Sequence, residues 1–383
     1  MNEQTLPKAF AEYSEARKSG FLKVMAAKEA GRNVAGFFCT YTPLELLDAA
    51  GVISVSLCGM SAETIPAAER DLPKNLCPLI KSSYGFYIAD KCPYTYFADI
   101  IVGETTCDGK KKMYELMGRG KEMYVLHLPQ GTEQLYAREM WRKELQRFVD
   151  YLQERFGVVI TEEDLRRAAE KRNLLRRRRA ELMELLTAET PPVSGLELYT
   201  FLEGLGFKFS VEESIAAVEE LTETVKRQQS DKVHPGGKRI LITGCPIGGV
   251  LQKTVGAIER NGANVVCYEN CSGTKQSDHI VDTSRKDILN AIADAYLNIG
   301  CAVMTPDPKR LERMKELIGQ YRVDGVMDLS LQTCQPYLLE TASIRSLCHE
   351  MGVPYIALET DYSTSDSGQL DTRIAAFLET LER

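Results

Sequence analysis

Short apolar runs alternate with amphipathic stretches along the first third of the chain. The run NVAGFF, just before Cys39, is typical of a buried strand, the Thr-Pro pair that follows predicts a helix start, and Gly51 predicts its end. A later segment repeats this plan, with ADIIVG as a strand, a helix from about Asp108 and EMYVLHLP as the next strand. The pattern predicts an α/β domain with leading helices over residues 1–133.

The middle of the chain has a different pattern. From about Gln134 to Glu184 the sequence is helical in its periodicity, charged and long. A Pro-Pro pair interrupts it, and shorter helices are predicted to about Gln229. The stretch DKVHPGGK over 231–238 is typical of a linker. We therefore expect a helical domain and linker over residues 134–235.

The α/β pattern returns after the linker. The segment KRILITGCPIGGVLQKTVGAIERNGANVVCYENC predicts a strand, a glycine-rich turn, a helix and a second strand. Further strands are predicted within CAVMTPD, VDGVMDLSLQTC and VPYIALETDYS, which gives a second α/β domain over residues 236–383. The predicted fold class is α/β, with two Rossmann-like domains that contain parallel sheets and a helical insert between them in sequence.

Several cysteines occupy one kind of place in this predicted fold, directly after a strand. In open parallel sheets, ligands bind beyond the carboxyl ends of the strands, and that is the edge where these thiols lie. The chain has no C-x2-C pair and no ferredoxin-like run. Only the tertiary structure can therefore bring these cysteines together. The cysteines that follow predicted strands are Cys39, Cys107, Cys245, Cys271 and Cys334.

Composition narrows the class of protein. The 383 residues favour two or three domains, and 44% hydrophobic with 26% charged residues is typical of a soluble globular protein. A net charge of -7 argues against nucleic acid as the partner, and no apolar run reaches the roughly 20 residues that span a bilayer. The N-terminus has no signal-peptide pattern, so we expect a cytoplasmic protein without a membrane partner. Structural disulfides are not expected among its eleven cysteines in that compartment.

The glycine-rich turn TGCPIGG has two interpretations. It is either a tight connection between strand and helix, or a cradle whose backbone N–H groups face an anion. It lacks the Lys-Ser/Thr pair of a P-loop and does not match G-x-G-x-x-G. A cysteine in the middle of the turn favours an iron–sulfur cluster over a nucleotide as that anion.

Several segments together resemble the 2-hydroxyacyl-CoA dehydratase D-component family, and more closely its double-cubane cluster protein branch. They are FFCTYTPLELLDAAG, LPKNLCPLIKSSYGF, DKCPYTYFADIIVGETTCDGKKKMYE, LITGCPIGG, YENCSG, LSLQTC and YIALETDYSTSDSGQL, which cover nearly the whole chain. The resemblance implies that Cys77, Cys107 and Cys334 match the three cysteines that hold a [4Fe-4S] cluster in the cleft between two Rossmann-like domains of dehydratase subunits.

The double-cubane branch implies a larger cofactor. It has six cysteine ligands and an [8Fe-9S] cluster, in which one sulfide joins two cubanes. We assign Cys39, Cys245 and Cys271 as the additional ligands from their positions after strands, with Cys58 and Cys92 as alternatives to Cys39 or Cys271. A single [4Fe-4S] cluster is the alternative cofactor. The other three cysteines are expected to be core thiols, in an apolar strand, at the start of a strand and on a helix: Cys267, Cys301 and Cys348.

A few other side chains are candidates for the site. Glu45 is expected to interact with the start of its helix or to contact substrate. Ser82, Ser83 and Tyr84 follow Cys77 closely and are candidate hydrogen-bond donors to sulfides or substrate. The lysines at 110–112 are expected at a solvated helix start, with cluster charge compensation or partner contact as the alternative. The run KRNLLRRRRAE predicts one polar helix face.

The resemblance also implies an activity and its partners. A double-cubane protein forms a homodimer and suits the reduction of a small, hard-to-reduce molecule. Its electrons come from a separate homodimeric ATPase activator that carries its own [4Fe-4S] cluster, consistent with the absence of a nucleotide motif here. Two alternatives stand beside an ATP-dependent low-potential reductase. One is an (R)-2-hydroxyacyl-CoA dehydratase subunit with a ketyl-radical mechanism, and the other is a non-enzymatic electron-transfer protein.

Overall fold

The computed structural model describes residues 15–227 and 230–381, which divide into two compact units. Most of the first half of the chain lies in the first unit, and the second unit contains most of the remainder. The first unit comprises the described residues up to Pro129, Tyr136–Ala169 and Thr283–Ala293. The second unit comprises Gln130–Leu135, Glu170–Asp282 and the described residues from Asp294 onward.

The first unit contains a four-stranded parallel sheet in the order β2-β1-β3-β4 within the described residues. Strand β3 is buried at all five positions, as its unbroken apolar run IIVG predicts for a parallel sheet covered on both faces. The strands are β1 (Val34–Phe37), β2 (Ile53–Ser56), β3 (Ile100–Glu104) and β4 (Met123–Leu126).

The second unit repeats this topology over its described residues, with a parallel sheet in the order β6-β5-β7-β8. Its central strands β5 and β7 are buried almost throughout. The strands are β5 (Arg239–Gly244), β6 (Asn264–Glu269), β7 (Gly325–Leu331) and β8 (Tyr355–Thr360). The predicted fold class is confirmed, since both sheets are parallel, flanked by helices and Rossmann-like.

The described helices follow the predicted order. Those before β5 are α1 (Glu15–Glu29), α2 (Leu44–Ala49), α3 (Ile65–Ala68), α4 (Pro78–Ile88), α5 (Pro93–Phe97), α6 (Asp108–Met117), α7 (Ala137–Phe156), α8 (Glu162–Glu184), α9 (Gly195–Gly204) and α10 (Val211–Arg227). Those after β5 are α11 (Val255–Arg260), α12 (Ile288–Tyr296), α13 (Pro308–Gln320), α14 (Gln335–Glu350) and α15 (Ser367–Thr380).

Part of the predicted helical region contributes to the core of the second unit. Leu182 of α8, Leu198 of α9 and Val218 of α10 are fully buried and belong to one hydrophobic cluster with Val266 and Val326 of the sheet. Burial of such side chains is the main favourable contribution to folding. The boundaries at 133/134 and 235/236 stay a sequence prediction, and Gln229 lies outside the described residues.

One predicted strand is wrong. The segment CAVMTPD forms turns in the connection from α12 to α13, not a strand. Cys301, Ala302 and Met304 are nevertheless buried, and the Met304 N–H donates to the Cys301 carbonyl at 2.9 Å in a local turn. An apolar run of this length is equally compatible with a buried loop and a buried strand, which is why periodicity alone misassigned it.

Among the described helices, not one combines the length and the apolar composition needed to cross a membrane.

Candidate iron–sulfur site

Three of the predicted ligands directly precede helices. Cys77, Cys107 and Cys334 are the N-cap residues of α4, α6 and α14, with Cys107 and Cys334 a few residues after β3 and β7. The unpaired N–H groups of a helix N-terminus stabilise a nearby negative charge, and a thiolate ligand carries one. The strand–cysteine–helix pattern in the sequence is therefore reproduced at Cys107 and Cys334.

The first turns of α4 and α6 lie against each other in the first unit. A side chain added at Gly109 would place its Cβ 2.6 Å from Cδ1 of Ile80 and 3.1 Å from Cδ1 of Leu76. Leu76 directly precedes Cys77, and Gly109 is the second residue after Cys107. The contact therefore brings together these two helix starts, each of which is capped by a candidate ligand.

Lys110 lies beside two further cysteines of the first unit. Its Nζ donates to the Phe38 carbonyl at 3.3 Å, and the Cys58 thiol donates to the same carbonyl at 3.3 Å. Burial lowers the pKa of Lys110, but the surrounding Tyr114, Cys58 and Cys39 help to raise it well above its ordinary value. Lys110 is thus an inward-facing cation next to candidate thiolates.

The neighbouring lysines differ from Lys110. Lys111 pairs with Asp108 at 2.6 Å and Lys112 pairs with Glu115 at 2.7 Å, and both lysines are exposed. The expectation of a solvated helix start holds for these two, while the position of Lys110 agrees with the alternative of charge compensation.

Glu104 is a buried carboxyl group that the sequence interpretation missed. It is the last residue of β3, is fully buried, and accepts a hydrogen bond from the Thr42 hydroxyl. Burial raises the pKa of Glu104 to about 7. Its position at a strand end three residues before Cys107 was the available signal, but the apolar strand around it pointed to packing alone.

In the second unit, Cys245 and Cys334 follow neighbouring strands. The Cys245 Sγ accepts a hydrogen bond from the Leu331 N–H at 3.2 Å, and the Cys245 N–H donates to the Leu329 carbonyl at 3.0 Å. Leu331 ends β7, and Cys334 follows it by three residues. Cys245 and Cys334 therefore belong to the same edge of this sheet, and an N–H···S bond of this kind stabilises a thiolate ligand.

The α-helix predicted directly after TGCPIGG begins later than expected, while the anion cradle itself stays a prediction. The turn is followed by a 3₁₀-helix over Gly248–Lys253, and α11 begins only at Val255 and has six residues. No long helix starts at Cys245, so a strong helix dipole does not act there.

Cys271 follows β6 and lies in a loop with several buried polar side chains. Lys275, which is 4% exposed, donates to the Tyr337 hydroxyl at 3.3 Å, and the Cys301 Sγ lies 3.5 Å from that hydroxyl. Burial raises the pKa of Tyr337 well above its ordinary value, and negative charge at Cys301 and Cys271 raises it further. Cys271 and Cys301 thus both interact with Tyr337, and Cys301 is 5% exposed, as expected for a core thiol.

The arginine run of α8 is not one polar face. Arg176 and Arg179 are 5% and 6% exposed, and Arg179 Nη2 donates to the Ser272 carbonyl at 2.8 Å, next to Cys271. Burial lowers the pKa of Arg179 to about 10. The prediction of a solvated face is wrong for these two residues because this side of α8 covers the loop after β6. Their spacing of three residues in the run was the signal for a common face.

The candidate polar residues of the first unit have protein partners. The Ser82 hydroxyl donates to the Ser61 carbonyl at 2.7 Å, and the Ser83 hydroxyl accepts from the Gly59 N–H at 3.0 Å. The Tyr84 hydroxyl donates to Asp71 at 3.0 Å, and burial raises the pKa of Tyr84 to about 12. These bonds fix α4 to the preceding loop, and a role of Ser82 or Tyr84 toward substrate stays a prediction.

Glu45 lies in the first turn of α2, the helix-start position that was predicted, and is fully buried there. Its proposed contact with substrate also stays a prediction.

The remaining cysteines occupy varied positions. Cys92 caps the short α5, and its Sγ accepts from the Thr95 N–H at 3.4 Å. Burial raises the pKa of Cys92, of Cys267 on β6 and, to about 12, of Cys348 on α14. Cys267 and Cys348 are 2% and 0% exposed, as expected for core thiols.

The buried polar atoms near Cys271 indicate whether this part of the second unit fits an iron–sulfur cluster. Asn270 Nδ2 and Thr274 Oγ1, which flank Cys271, are buried and have no hydrogen-bond partner within the described part of the chain. Both can donate to an acceptor, and cluster sulfides accept hydrogen bonds. Together with helix-capping thiols and buried cations, these residues fit the cofactor chemically.

A single metal ion has different requirements. Across residues 15–227 and 230–381, no three His, Cys, Asp or Glu side chains are grouped as ligands of one ion. The thiolates of an iron–sulfur cluster bind separate iron atoms and need not be grouped so closely.

Comparison with known proteins gives the family. Residues 39–381 match the family model described as 2-hydroxyglutaryl-CoA dehydratase, D-component. The chain belongs to this family.

The D-component assignment agrees with full-length relatives. The chain is 47% identical over 379 residues to the protein named "Putative dehydratase subunit YjiM" of Escherichia coli strain K12, covering 98% of both chains. It is 22% identical over 376 residues to the (R)-phenyllactyl-CoA dehydratase beta subunit of Clostridium sporogenes, covering 97% of each. It is 23% identical over 354 residues to a benzoyl-CoA reductase subunit of Thauera aromatica, covering 90% of this chain and 89% of the relative. The D-component family thus includes subunits of both dehydratases and reductases.

Proposed function

We propose that this D-component protein is a low-potential reductase of a small, hard-to-reduce substrate. It would contain an [8Fe-9S] double-cubane cluster held by Cys39, Cys77, Cys107, Cys245, Cys271 and Cys334. A homodimer would receive electrons from a separate ATP-hydrolysing activator with its own [4Fe-4S] cluster. The observation that carries the proposal is the number of thiols, since each unit supplies three of these cysteines.

The surroundings of these thiols support the proposal. Lys110 in the first unit and Lys275 in the second are cations that interact with candidate thiolates, and such cations offset the negative charge of an iron–sulfur cluster. The Leu331 N–H donates to Cys245 Sγ at 3.2 Å and would continue to do so when that sulfur binds iron. The bound cluster supplies low-potential electrons, and the protein tunes their potential through such charges and hydrogen bonds.

The second candidate function is that of a dehydratase subunit, because several relatives are named as dehydratase subunits. The chain is 22% identical over 376 residues to the (R)-2-hydroxyglutaryl-CoA dehydratase subunit beta of Acidaminococcus fermentans, and three cysteines would suffice for one [4Fe-4S] cluster. Binding of an acyl-CoA distinguishes this candidate from reduction of a small molecule.

Iron content decides between the two cofactors. Two cubanes require about eight iron atoms per chain, whereas one cubane requires about four. We expect anaerobically purified, fully reconstituted protein to contain close to the larger number, with a similar amount of acid-labile sulfide. Iron that saturates at the smaller number would contradict the double-cubane assignment and favour the dehydratase candidate.

Electron transfer to the cluster should require a partner. The sequence lacks a P-loop motif, which is consistent with hydrolysis of ATP by another protein. We expect the visible absorption of the cluster to bleach only when the cognate activator, ATP and a low-potential donor are all present. Omission of each component is the control, and ATP hydrolysis by the purified chain alone would contradict this division of labour.

A further inference from the structure

A cavity of about 580 Å³ lies in the second unit, close to the end of β6. Glu269 at the end of β6, Lys275 in the following loop and Arg310 on α13 line it. Cavities of roughly 300–1,000 Å³ accommodate small molecules, and the carboxyl ends of parallel strands are their usual location. The place and size are those of a ligand site.

Arg310 is the most informative residue of this cavity. Its side chain is 1% exposed, and its Nη2 donates to Thr243 Oγ1 at 2.9 Å and to Glu269 Oε2 at 3.1 Å. Its Nη1 is buried and has no hydrogen-bond partner among the residues that the structure describes. A buried donor left unsatisfied costs about 1–3 kcal/mol, and more when it belongs to a charged group. Arg310 therefore favours a ligand that accepts hydrogen bonds.

Ser277 gives a second, independent indication in the same cavity. It is 5% exposed, and its Oγ is likewise buried without a partner in the described portion of the chain. A hydroxyl can donate or accept, whereas a guanidinium only donates. One ligand group that satisfies both residues must therefore carry acceptor oxygens.

The interior charges favour an anionic ligand. Lys275 and Arg310 share Glu269, at 3.0 and 3.1 Å, so this buried triad carries one excess positive charge. Asp328 is buried and Asp307 is half-buried, both carboxyls interact with Arg310, and burial raises the pKa of both, that of Asp307 to about 7. The Asp307 carboxyl therefore does not carry its full negative charge at neutral pH, as an exposed carboxylate would.

The charged residues nearer the mouth are two cations and three carboxylates. Arg313 pairs with Asp278 and Glu316, each at 2.8 Å, and Lys309 donates to the Asn298 side-chain oxygen at 2.6 Å. Glu312 also lines the cavity but is exposed to solvent. The cavity lining thus has equal numbers of cations and carboxylates, and the positive excess lies in its buried part, at Arg310 and Lys275.

We propose that this cavity binds a small molecule through an anionic oxygen group, a carboxylate or a phosphate, which accepts hydrogen bonds from Arg310 Nη1 and Ser277 Oγ. The site goes beyond the proposed reductase function and does not depend on the cofactor. A charged acceptor and a guanidinium form stronger hydrogen bonds than neutral groups do.

Titration calorimetry on the full chain tests this site with three probes at matched ionic strength: sodium phosphate, sodium acetate and the neutral acetamide. We expect at least one of the two anions to bind, and acetamide to bind at least about tenfold more weakly. Binding of phosphate alone, or of acetate alone, identifies the ligand group and supports the site. Absence of binding by both anions overturns it.

Two variants connect binding to the named atoms. Ser277→Ala removes a hydroxyl without a described partner, so we expect about tenfold weaker anion binding with an unchanged or higher unfolding midpoint. Arg310→Lys keeps a cation beside Glu269 but removes the Nη1 donors, and should weaken binding at least as much. Ser214→Ala, at a buried serine of α10 that donates to the Ser210 carbonyl at 3.2 Å, is the matched control and should bind normally. Equal affinity of wild type and Ser277→Ala would mean an adventitious ion only and would overturn the proposal, whatever the iron content.

Discussion

Cys334→Ala is expected to lose its iron and its reductase activity. Cys334 caps α14 and lies at the sheet edge where Cys245 receives the Leu331 N–H, so its loss would leave an iron atom without its thiolate at the centre of the site. Changes to residues around a metal ligand cost about 10–100-fold in affinity or activity, and we expect loss of the ligand itself to exceed that range. Iron and sulfide analysis of the anaerobically purified variant, together with activator-dependent turnover, measures the effect.

Cys267→Ala is the matched control for that experiment. Cys267 lies inside β6 at 2% exposure, so its replacement removes a small buried thiol and costs about 1–2 kcal/mol of stability. It should retain its iron. Loss of iron from Cys267→Ala with normal iron in Cys334→Ala would contradict the assignment of ligands to strand ends.

The other ligands can be ranked by the same analysis. Cys77→Ala and Cys107→Ala should behave like Cys334→Ala, and Cys245→Ala and Cys271→Ala should retain roughly half the iron if they serve the second cubane. Cys301→Ala should be included in the same iron analysis, because the Sγ of Cys301 lies 3.5 Å from the Tyr337 hydroxyl.

Gly244→Ala should destabilise the second unit strongly. Gly244 ends β5 with φ at +116°, and a Cβ there would overlap the carbonyl oxygen of Leu329 on the neighbouring β7. Backbone strain alone costs about 1–3 kcal/mol, and the overlap forces β5 and β7 apart where Cys245 forms its hydrogen bonds. We expect a loss of about 3 kcal/mol or more, measured as a lowered urea midpoint, with reduced iron content.

Gly262→Ala separates the two causes of this loss. Gly262 also has a positive φ, +85°, but a Cβ there meets no atom within 4 Å. Its replacement should cost only about 1–2 kcal/mol, the penalty of a left-handed backbone for an alanine. Equal destabilisation by both substitutions would show that contact with Leu329 is not the reason.

The sequence was sufficient to predict features that depend on neighbouring residues along the chain. Cys107 and Cys334 were placed correctly because a buried strand, a cysteine and a helix start are adjacent in sequence. The parallel sheets followed from apolar strands that alternate with helical segments. Such features are local, so periodicity and turn residues determine them.

Features that depend on distant contacts were missed. Arg179 looked like a solvated residue because nothing near it in sequence indicates that α8 covers the loop after Cys271. Cys301 was assigned to a strand because the residues AVM that follow it are apolar. They lie in a buried loop instead, and apolar side chains are buried in a loop as they are in a strand. Only the tertiary fold shows that Tyr337 and Lys275 surround this thiol.

The cysteine caps have a consequence for assembly of the cofactor. Pro78 directly follows Cys77, and Pro336 lies in the first turn of α14 after Cys334. Proline fixes φ near the value that a helix requires, so these turns are already rigid in the apoprotein. Little chain entropy would then be lost on binding of the proposed cluster, in contrast to zinc fingers, which fold only around their metal. The cluster would therefore be transferred from the thiolates of a carrier protein to cysteines that are already in position in this chain. The rate of that ligand exchange would depend on access to the cysteines and not on folding.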